Sequence, residues 1–293
     1  MRNDPNLENG KFVLKSYFFI PANNPKFIEK SFYLKSDFFV LDMEDSILPH
    51  QFNDCLVNIK SVKDKEKYFI RFPFIEMELN SSLLSAFSEL IHLGFVNYLI
   101  PKFSNSNLLI YLKDYLLKIN VEPAKLRFIL LIEHPAGLFR LQEALDRQDL
   151  NILGLGLGSH DYANTMGMKH TLENISFARN FTLNMAKAFN IQAMDFVSTD
   201  LSDQTVFRDE CLNGFQLGFD GKFLIHPSQL QTFQALQFYS EEEVDDAIQV
   251  YDLILKMESK EIPIVKYRDK VYEKPHIDRI KKIMEWRANH GAK

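Results

Sequence analysis

Short apolar runs recur along the chain, separated by segments with helical spacing. We count eight such runs, rich in aromatic and β-branched residues. They are too continuous to alternate with polar positions, which is typical of strands buried on both faces, as in parallel sheets. The predicted strands cover residues 16–21, 37–42, 67–72, 96–102, 127–133, 150–158, 191–198 and 221–227.

Between the strands, apolar residues at steps of three and four predict helices. The predicted helices cover residues 80–94, 106–119, 136–147, 173–190 and 202–218. Eight strand–helix units in about 240 residues predict an α/β fold, a (β/α)8 barrel of the TIM type. An open doubly wound sheet is the alternative.

The pattern changes outside these units. Residues 1–14 are a polar N-terminal segment, residues 15–240 make the predicted barrel, and residues 241–293 make a C-terminal helical extension. The extension has helical spacing over residues 241–257 and 275–288. It could cap the barrel or reach a neighbouring subunit.

Composition narrows the class of protein. The net charge is -5 and no run of Lys and Arg is present, which argues against a nucleic-acid partner. Two cysteines are too few for a disulfide framework. The first residues are polar, and no apolar stretch reaches the roughly 18 residues that cross a bilayer. We therefore expect a cytoplasmic protein that does not contact membranes.

Polar residues follow several of the predicted strands directly. Because the chemistry of such folds collects at the carboxyl ends of the strands, these residues are the candidates for a functional site. Capping of the following helix is an equally good reading of Glu44 and Asp45. The candidates are Asp42, Glu44 and Asp45 after the second strand, Arg71, Lys102 and Glu133 after the third to fifth, and Asp161 after the sixth.

Glu133 and Asp161 are the sharpest pair. They follow neighbouring strands, so we expect them to lie close together although they are 28 positions apart. Two carboxylates without cysteine ligands suit a hard ion such as Mg2+, and a salt-bridged structural pair is the alternative. His134 and His160 flank the acids, but neighbours on a strand point to opposite faces, which weakens a site with histidine ligands.

Glycine recurs at alternate positions in the sixth strand, at Gly154, Gly156 and Gly158. The string is a weak match to a dinucleotide fingerprint, because Ser159 stands where glycine or alanine is needed. We expect the glycines to open room for a substrate, with close backbone packing as the alternative. Arg71 suits a substrate carboxylate or a developing oxyanion, or else an ion pair with the second-strand acids.

Taken in order, these strand ends resemble the citrate lyase beta-subunit-like family of the HpcH/HpaI aldolase superfamily. The resemblance runs from about residue 15 to 238. Its pieces are SYFFIPANN, LDMEDSI, IRF, IPK, LIEHPAGL, LGLGSHDY, AMDFVSTDLSD and LGFDGKFLIHPSQL.

The resemblance implies a (β/α)8 barrel that binds Mg2+ through Glu133 and Asp161 and cleaves a carbon–carbon bond next to a CoA or acyl-carrier thioester. It also implies a homo-oligomer, a trimer or hexamer. In relatives an adjacent subunit lends an Asp, and Glu273 stands at that position here. The implied catalytic residues are Arg71, Asp42, Glu44 and Glu273, and the implied substrate-binding residues are Arg71, Gly158, Ser159, Lys15 and Asn23.

The chain also departs from the family pattern around the substrate. Ala22 replaces a glycine, Lys15 stands where an arginine is common, and Phe72 and Pro73 replace the asparagine side of the third-strand motif. We therefore expect a Mg2+-dependent lyase acting on a citryl- or malyl-like β-hydroxyacyl thioester, with an acid or carrier other than that of plain citrate cleavage. The alternatives are a metal-dependent aldolase or thioester hydrolase without CoA dependence, and a non-catalytic metabolite-binding barrel.

Overall fold

The computed structural model describes residues 14–45, 47–74, 81–257 and 264–290. The chain folds as two compact units, Leu14–Gln234 and a second containing Ala235–Lys293. The polar N-terminal segment predicted over residues 1–14 lies almost wholly outside the described residues. The predicted domain boundaries stay predictions.

The first unit is a closed barrel of eight parallel strands, with consecutive strands paired and β1 paired with β8. The predicted fold class is therefore confirmed, and the open sheet is excluded. Most predicted runs extend past the strands at one or both ends. The strands are β1 (Lys15–Pro21), β2 (Phe38–Asp42), β3 (Tyr68–Arg71), β4 (Asn97–Ile100), β5 (Arg127–Ile132), β6 (Ile152–Leu157), β7 (Gln192–Asp195) and β8 (Gly221–Leu224).

Helices connect the strands on the outside of the barrel. All five predicted helices are present, although the one predicted over residues 136–147 is split at Arg140, whose backbone (φ -106, ψ 5) leaves the helical region. The helices are α1 (Pro25–Ser31), α2 (Phe52–Ile59), α3 (Ser81–His92), α4 (Asn107–Lys118), α5 (Pro135–Phe139), α6 (Leu141–Arg147), α7 (Ser159–Met166), α8 (Leu172–Ala188), α9 (Gln204–Leu217) and α10 (Pro227–Gln234).

Large side chains fill the inside of the barrel. Each strand sends alternate residues inward, and the buried inner cluster contains Tyr17, Val40, Phe69, Leu99 and Phe223. Phe69 and Phe223 thus serve to pack the inside of the barrel. The next inward-facing residue of each strand lies two positions after its cluster residue, at the mouth of the barrel. Polar residues occupy several of these positions.

The second unit contains α11 (Glu241–Leu255), a hairpin of β9 (Val265–Tyr267) and β10 (Lys270–Tyr272), and α12 (Lys274–His290). Both predicted helices are present. Ser240 begins α11 with a capping box to Glu243. Sequence reasoning missed the hairpin, whose turn includes Arg268 at φ 52. In the described part of the chain, no helix has the length and apolar character needed to cross a membrane.

Candidate active site

A cavity of about 110 Å3 opens at the carboxyl ends of the barrel strands. Phe19, Leu131 and Phe223 form its apolar wall. Its polar lining comes from the last residue of β3 and from residues that follow β5 and β6, which is where the strand pattern predicts a site. These polar residues are Arg71, Glu133, Ser159, His160 and Asp161.

Glu133 is the buried carboxylate of this cavity. It continues the inward register of Ile129 and Leu131 on β5, and it is 3% exposed. One oxygen, Oε2, accepts a hydrogen bond of 2.8 Å from the backbone N–H of Lys102. Burial raises the pKa of Glu133 to about 8, although Arg71 and the Lys102 amide act in the opposite direction. Arg71 is thus the nearby positive charge, but its effect is smaller than that of burial, and the pKa of this carboxyl group stays high.

Asp161 lies in the first turn of α7 and is exposed. Its carboxylate faces the same cavity as Glu133, and its charge contributes to the raised pKa of Glu133. The prediction that these two acids lie close together is therefore right. They do not form a salt bridge with each other, since both are acids.

The two acids suit a hard divalent cation. The raised pKa of Glu133 supports a cation site here, because a cation bound beside a buried carboxyl group would stabilise its ionised form. Among the described residues, no group of three or more His, Cys, Asp or Glu side chains is arranged to hold a metal. Mg2+ does not need such a group, because it commonly binds one or two carboxylates and completes its shell with water and substrate oxygens.

The glycine string of β6 makes room for side chains. A Cβ at Gly156 would lie 2.6 Å from the Phe223 ring, and one at Gly154 would lie 2.8 Å from Cε of Met194. A Cβ at Gly158 would overlap the side chain of Glu133. The space beside Gly154 and Gly156 is thus filled by the barrel core, which corrects the expectation of substrate room there. Gly158 instead leaves the space that Glu133 occupies, and it lines the cavity.

Arg71 is held by the second-strand acids. Asp42 and Arg71 are register partners on β2 and β3, and the guanidinium donates to both carboxylate oxygens, Nε to Oδ1 at 2.7 Å and Nη2 to Oδ2 at 2.8 Å. Both side chains are nearly buried. The guanidinium also lies 5.3 Å from the centre of the Phe19 ring. It reaches the cavity with a fixed orientation.

Glu44, Asp45 and Lys102 form a second layer of charge beside Arg71. Lys102 Nζ bonds both carboxylates, and it lies 2.7 Å from Asp45 Oδ1. Arg71 Nη1 lies 3.1 Å from Asp45 Oδ2 and 3.6 Å from Glu44. Burial raises the pKa of Glu44, even though Lys102 and Arg71 oppose this. Glu44 and Asp45 bind basic side chains across the mouth, which is a more specific role than helix capping.

Two histidines lie beside the cavity, with His160 in its lining. Ser159, which begins α7, is 2% exposed, and its Oγ lies 2.9 Å from Nε2 of His170. The ring of His160 stacks on that of His170 with 3.8 Å between centres. His134 instead caps α5 through Nδ1. The opposite-face argument is wrong for His160, which shares the cavity lining with Asp161 because both residues lie on α7 and not on a strand. Sequence reasoning missed His170, because nothing in its local pattern marks it.

The remaining predicted residues lie elsewhere. Asn23 follows β1 at the carboxyl end, where it donates to Gln51. Lys15 starts β1 at the opposite end of the barrel, 5.7 Å from the ring of Phe38, so the structure does not bring it to the cavity. Glu273 lies in the second unit, directly before α12. Its part in catalysis stays a prediction.

A model of the family described as HpcH/HpaI aldolase/citrate lyase matches residues 15–227 of the chain. This chain belongs to that family. The match spans most of the barrel and includes Arg71, Glu133 and Asp161. The predicted family and the predicted enzyme type, an HpcH/HpaI lyase, are confirmed.

Individual relatives are distant but cover most of the chain. Citrate lyase subunit beta of Escherichia coli is 25% identical over 92% of this chain and 92% of its own length. A (3S)-malyl-CoA thioesterase of Cereibacter sphaeroides is 25% identical over 79% of each chain. The fold matches that of CitE from Mycobacterium tuberculosis, solved with magnesium, acetoacetate and coenzyme A, with a TM-score of 0.77, 20% identity, and coverage of 95% of this chain and 99% of that one.

Proposed function

We propose that this protein is a Mg2+-dependent carbon–carbon lyase acting on a β-hydroxyacyl thioester of a small carboxylated acid. The observation that carries the proposal is the shared cavity of Glu133, Asp161 and Arg71 at the mouth of the barrel. The family supports the reaction type, and CitE of Mycobacterium tuberculosis, crystallised with magnesium and coenzyme A, supports the cofactor and the carrier.

Glu133 and Asp161 would hold the ion. When bound, Mg2+ would polarise the oxygens of the acid and favour loss of the hydroxyl proton. Glu133 supplies a carboxylate whose direction is fixed by the Lys102 amide. Asp161 supplies one on the first turn of a helix that begins at the cavity. The protein thus offers two oxygen ligands, and the remaining positions are open to water and substrate.

Arg71 would face the charge that develops on the substrate. Its guanidinium is oriented by Asp42 before any substrate arrives, so it needs no reorganisation during the reaction, and preorganised donors of this kind stabilise oxyanions well. Asp42 accepts a hydrogen bond from Arg71 at each of its two carboxylate oxygens, which supports a positioning role for Asp42.

The cavity of about 110 Å3 favours a small acid. A three- or four-carbon keto acid is the product we propose, with the thioester part outside the cavity. A homo-oligomer with Glu273 of a neighbouring subunit completing the site is also part of the proposal. It rests on the family resemblance alone.

The test is ligand-dependent thermal stability. Purified protein would be melted with Mg2+ and with pyruvate, glyoxylate, oxaloacetate, acetyl-CoA or malyl-CoA, and again as Glu133→Ala. A ligand that binds the folded state raises the melting temperature. We expect a keto acid to do so only with Mg2+ and intact Glu133. Exposed Glu122→Ala is the matched control, and it should behave as the wild type. No shift with any ligand or Mg2+ would overturn the proposal.

Thioester hydrolysis is the second candidate, favoured by the similarity to a malyl-CoA thioesterase. The two reactions give different products from malyl-CoA. A lyase releases glyoxylate and leaves the thioester intact as acetyl-CoA, whereas a hydrolase releases free thiol. Measuring both glyoxylate and free thiol in one reaction separates them.

A further inference from the structure

A serine hydroxyl in the cavity wall is connected to a histidine behind it. Ser159 lines the cavity together with Glu133 and Asp161. Its Oγ and Nε2 of His170 are 2.9 Å apart. His170 precedes α8 and is not part of the cavity lining. Ser159 therefore lies between the cavity and the imidazole.

His170 also borders a second cavity. This space of about 100 Å3 lies between the end of β7 and α9, and its other lining residues include Ser198, Asp200 and Glu210. Asp200 is exposed to solvent. The imidazole thus separates the barrel cavity from a second cavity that has an exposed acid in its lining. A proton on His170 has a route out that does not pass through the substrate.

The surroundings of His170 favour the neutral imidazole. Burial lowers its pKa, and the nearby His160 and Lys222 lower it further. His160 stacks on the ring from α7, and Phe196 contacts it edge-on at 6.1 Å. Lys222 lies on β8, fully buried. Glu210 and Asp200 face the same second cavity from α9 and the loop before it. A neutral ring can accept the Ser159 proton at Nε2.

The acids in and beside the cavity have other partners or roles. Asp42 accepts from Arg71 with both oxygens, and Glu133 and Asp161 are the proposed ligands of Mg2+. The Nε2 atom of His160 is buried and has no hydrogen-bond partner among the described residues. Ser159 with His170 is the pair in this wall that joins a cavity hydroxyl to a titratable base.

We propose that Ser159 and His170 form the proton relay of the carbon–carbon cleavage, an inference that rests on the proposed lyase function. The substrate hydroxyl gives its proton to Ser159 Oγ while Ser159 gives its own to His170 Nε2. The hydroxyl carbon becomes a carbonyl as the carbon–carbon bond breaks. The electron pair of that bond stays on the carbon next to the thioester, which takes up one proton from water. His170 returns its proton to water through the second cavity, so no other reactant is consumed.

The relay predicts distinct roles for its two members. Ser159 would contact the substrate, whereas His170 would act through Ser159. Ser159→Ala breaks the relay at its first atom. His170→Gln keeps a side-chain amide that can bond Ser159 but does not titrate. His92→Gln, at the exposed end of α3 where His92 bonds Ser88, is the matched control.

The experiment compares these variants with the wild type by three measurements. Cleavage of malyl-CoA is followed as glyoxylate release from pH 5 to 9. Thermal melting with Mg2+ and pyruvate reports whether the ion and acid still bind. Nitrogen-15 NMR of labelled protein reports the tautomer and charge of His170. The second and third measurements do not depend on turnover.

We expect Ser159→Ala and His170→Gln to lower the cleavage rate by roughly 100-fold or more, the usual contribution of a general base. The Mg2+-dependent thermal shift should be retained. The wild-type rate should rise with pH through an ionisation below the ordinary histidine value, because only neutral His170 accepts a proton, and His170→Gln should lose this limb. His92→Gln should match the wild type. NMR should show Nδ1 protonated and Nε2 bare.

Two results would overturn the relay alone: a wild-type rate and pH profile in His170→Gln, or a His170 that carries its proton on Nε2 at neutral pH. A wild type that binds Mg2+ and pyruvate but cleaves no malyl-CoA, citryl-CoA or citramalyl-CoA would overturn the lyase function first and the relay with it. The two failures are thus distinguishable.

Discussion

The backbone N–H of Lys102 points at Oε2 of Glu133, 2.8 Å away, and Lys102 adopts the left-handed region at φ 51. A non-glycine residue pays a conformational cost there, of order 1 kcal/mol. The side chain of the same residue binds Glu44 and Asp45. One residue therefore orients the buried carboxylate with its main chain and organises the mouth with its side chain.

Substitutions at Lys102 can separate these two roles. Lys102→Gly keeps the N–H and favours the left-handed region, so the Mg2+-dependent rise in melting temperature should persist. Lys102→Pro removes the N–H and fixes φ near -65°, so that rise should be lost. Asn190→Gly, at another left-handed position (φ 53), is the control for the backbone effect. A full Mg2+ response in Lys102→Pro would contradict the orienting role.

Glu133 should make stability fall with rising pH when Mg2+ is absent. Burial raises its pKa from 4.5 to about 8, so between these values the folded state keeps a proton that the unfolded chain has lost. The free energy of unfolding then decreases as pH rises, by at most about 1.4 kcal/mol per unit. The measurement is urea denaturation in EDTA at several pH values, comparing wild type with Glu133→Gln.

The prediction concerns the difference in free energy of unfolding between the wild type and Glu133→Gln, because other groups titrate in both proteins. Glu133→Gln should lose less stability than the wild type from about pH 5 to 8. Mg2+ binds the ionised carboxylate, so its apparent affinity should increase over the same range while a proton is released. Parallel curves for the two proteins would show that Glu133 is already ionised.

The strand pattern was enough to predict the barrel and the end at which the site lies. Continuous apolar runs marked the eight strands, and polarity directly after a run marked Arg71 and Glu133. Both signals are local in sequence. The same locality explains why short helices such as α7 were not predicted, since eight residues give little helical period.

Other features depended on which strands and loops meet. The sequence predicts an ion pair of Arg71 with the second-strand acids as one alternative, and the structure contains it. The choice of Asp42 as the bidentate partner follows from the β2–β3 register. His170 reaches Ser159 across a loop between α7 and α8, and no spacing rule marks it. Gly156 was expected to open room for substrate, but its space is taken by Phe223, which lies two strands away on β8. Whether the space beside a glycine is free is therefore decided by side chains from other strands.

Gly158→Ala should impair the site more than the fold. A Cβ at this position would overlap Cγ of Glu133, so the carboxylate must turn away from its bond with Lys102. We expect the thermal shift caused by Mg2+ with pyruvate to be lost or strongly reduced. Gly167→Ala, in the left-handed cap of the same helix with no atom within 4 Å of the added Cβ, should lower stability by about 1 kcal/mol and keep that shift. An unchanged shift in Gly158→Ala would mean that Glu133 does not bind the ion from this position.

Asp42→Ala should destabilise the folded protein because it leaves Arg71 without its bidentate partner. The Arg71 side chain is only 13% exposed and that of Asp42 5%, and removing one member of a buried pair typically costs about 3–5 kcal/mol. Asp45 still lies 3.1 Å from Arg71 Nη1, so the lower end of that range is expected. Urea denaturation of Asp42→Ala and of Asp64→Ala gives the comparison. Asp64 pairs with Lys67 in solvent and should cost less than about 1 kcal/mol.

The double variant Asp42→Ala with Arg71→Met completes this test. Replacing both charges removes the unpaired guanidinium, so the double variant should be more stable than Asp42→Ala alone. The rise in melting temperature caused by Mg2+ with pyruvate should nevertheless be lost in the double variant, because Arg71 lines the cavity. If Asp42→Ala unfolds with the wild-type free energy, Glu44 and Asp45 suffice to hold the guanidinium, and the positioning role of Asp42 is wrong.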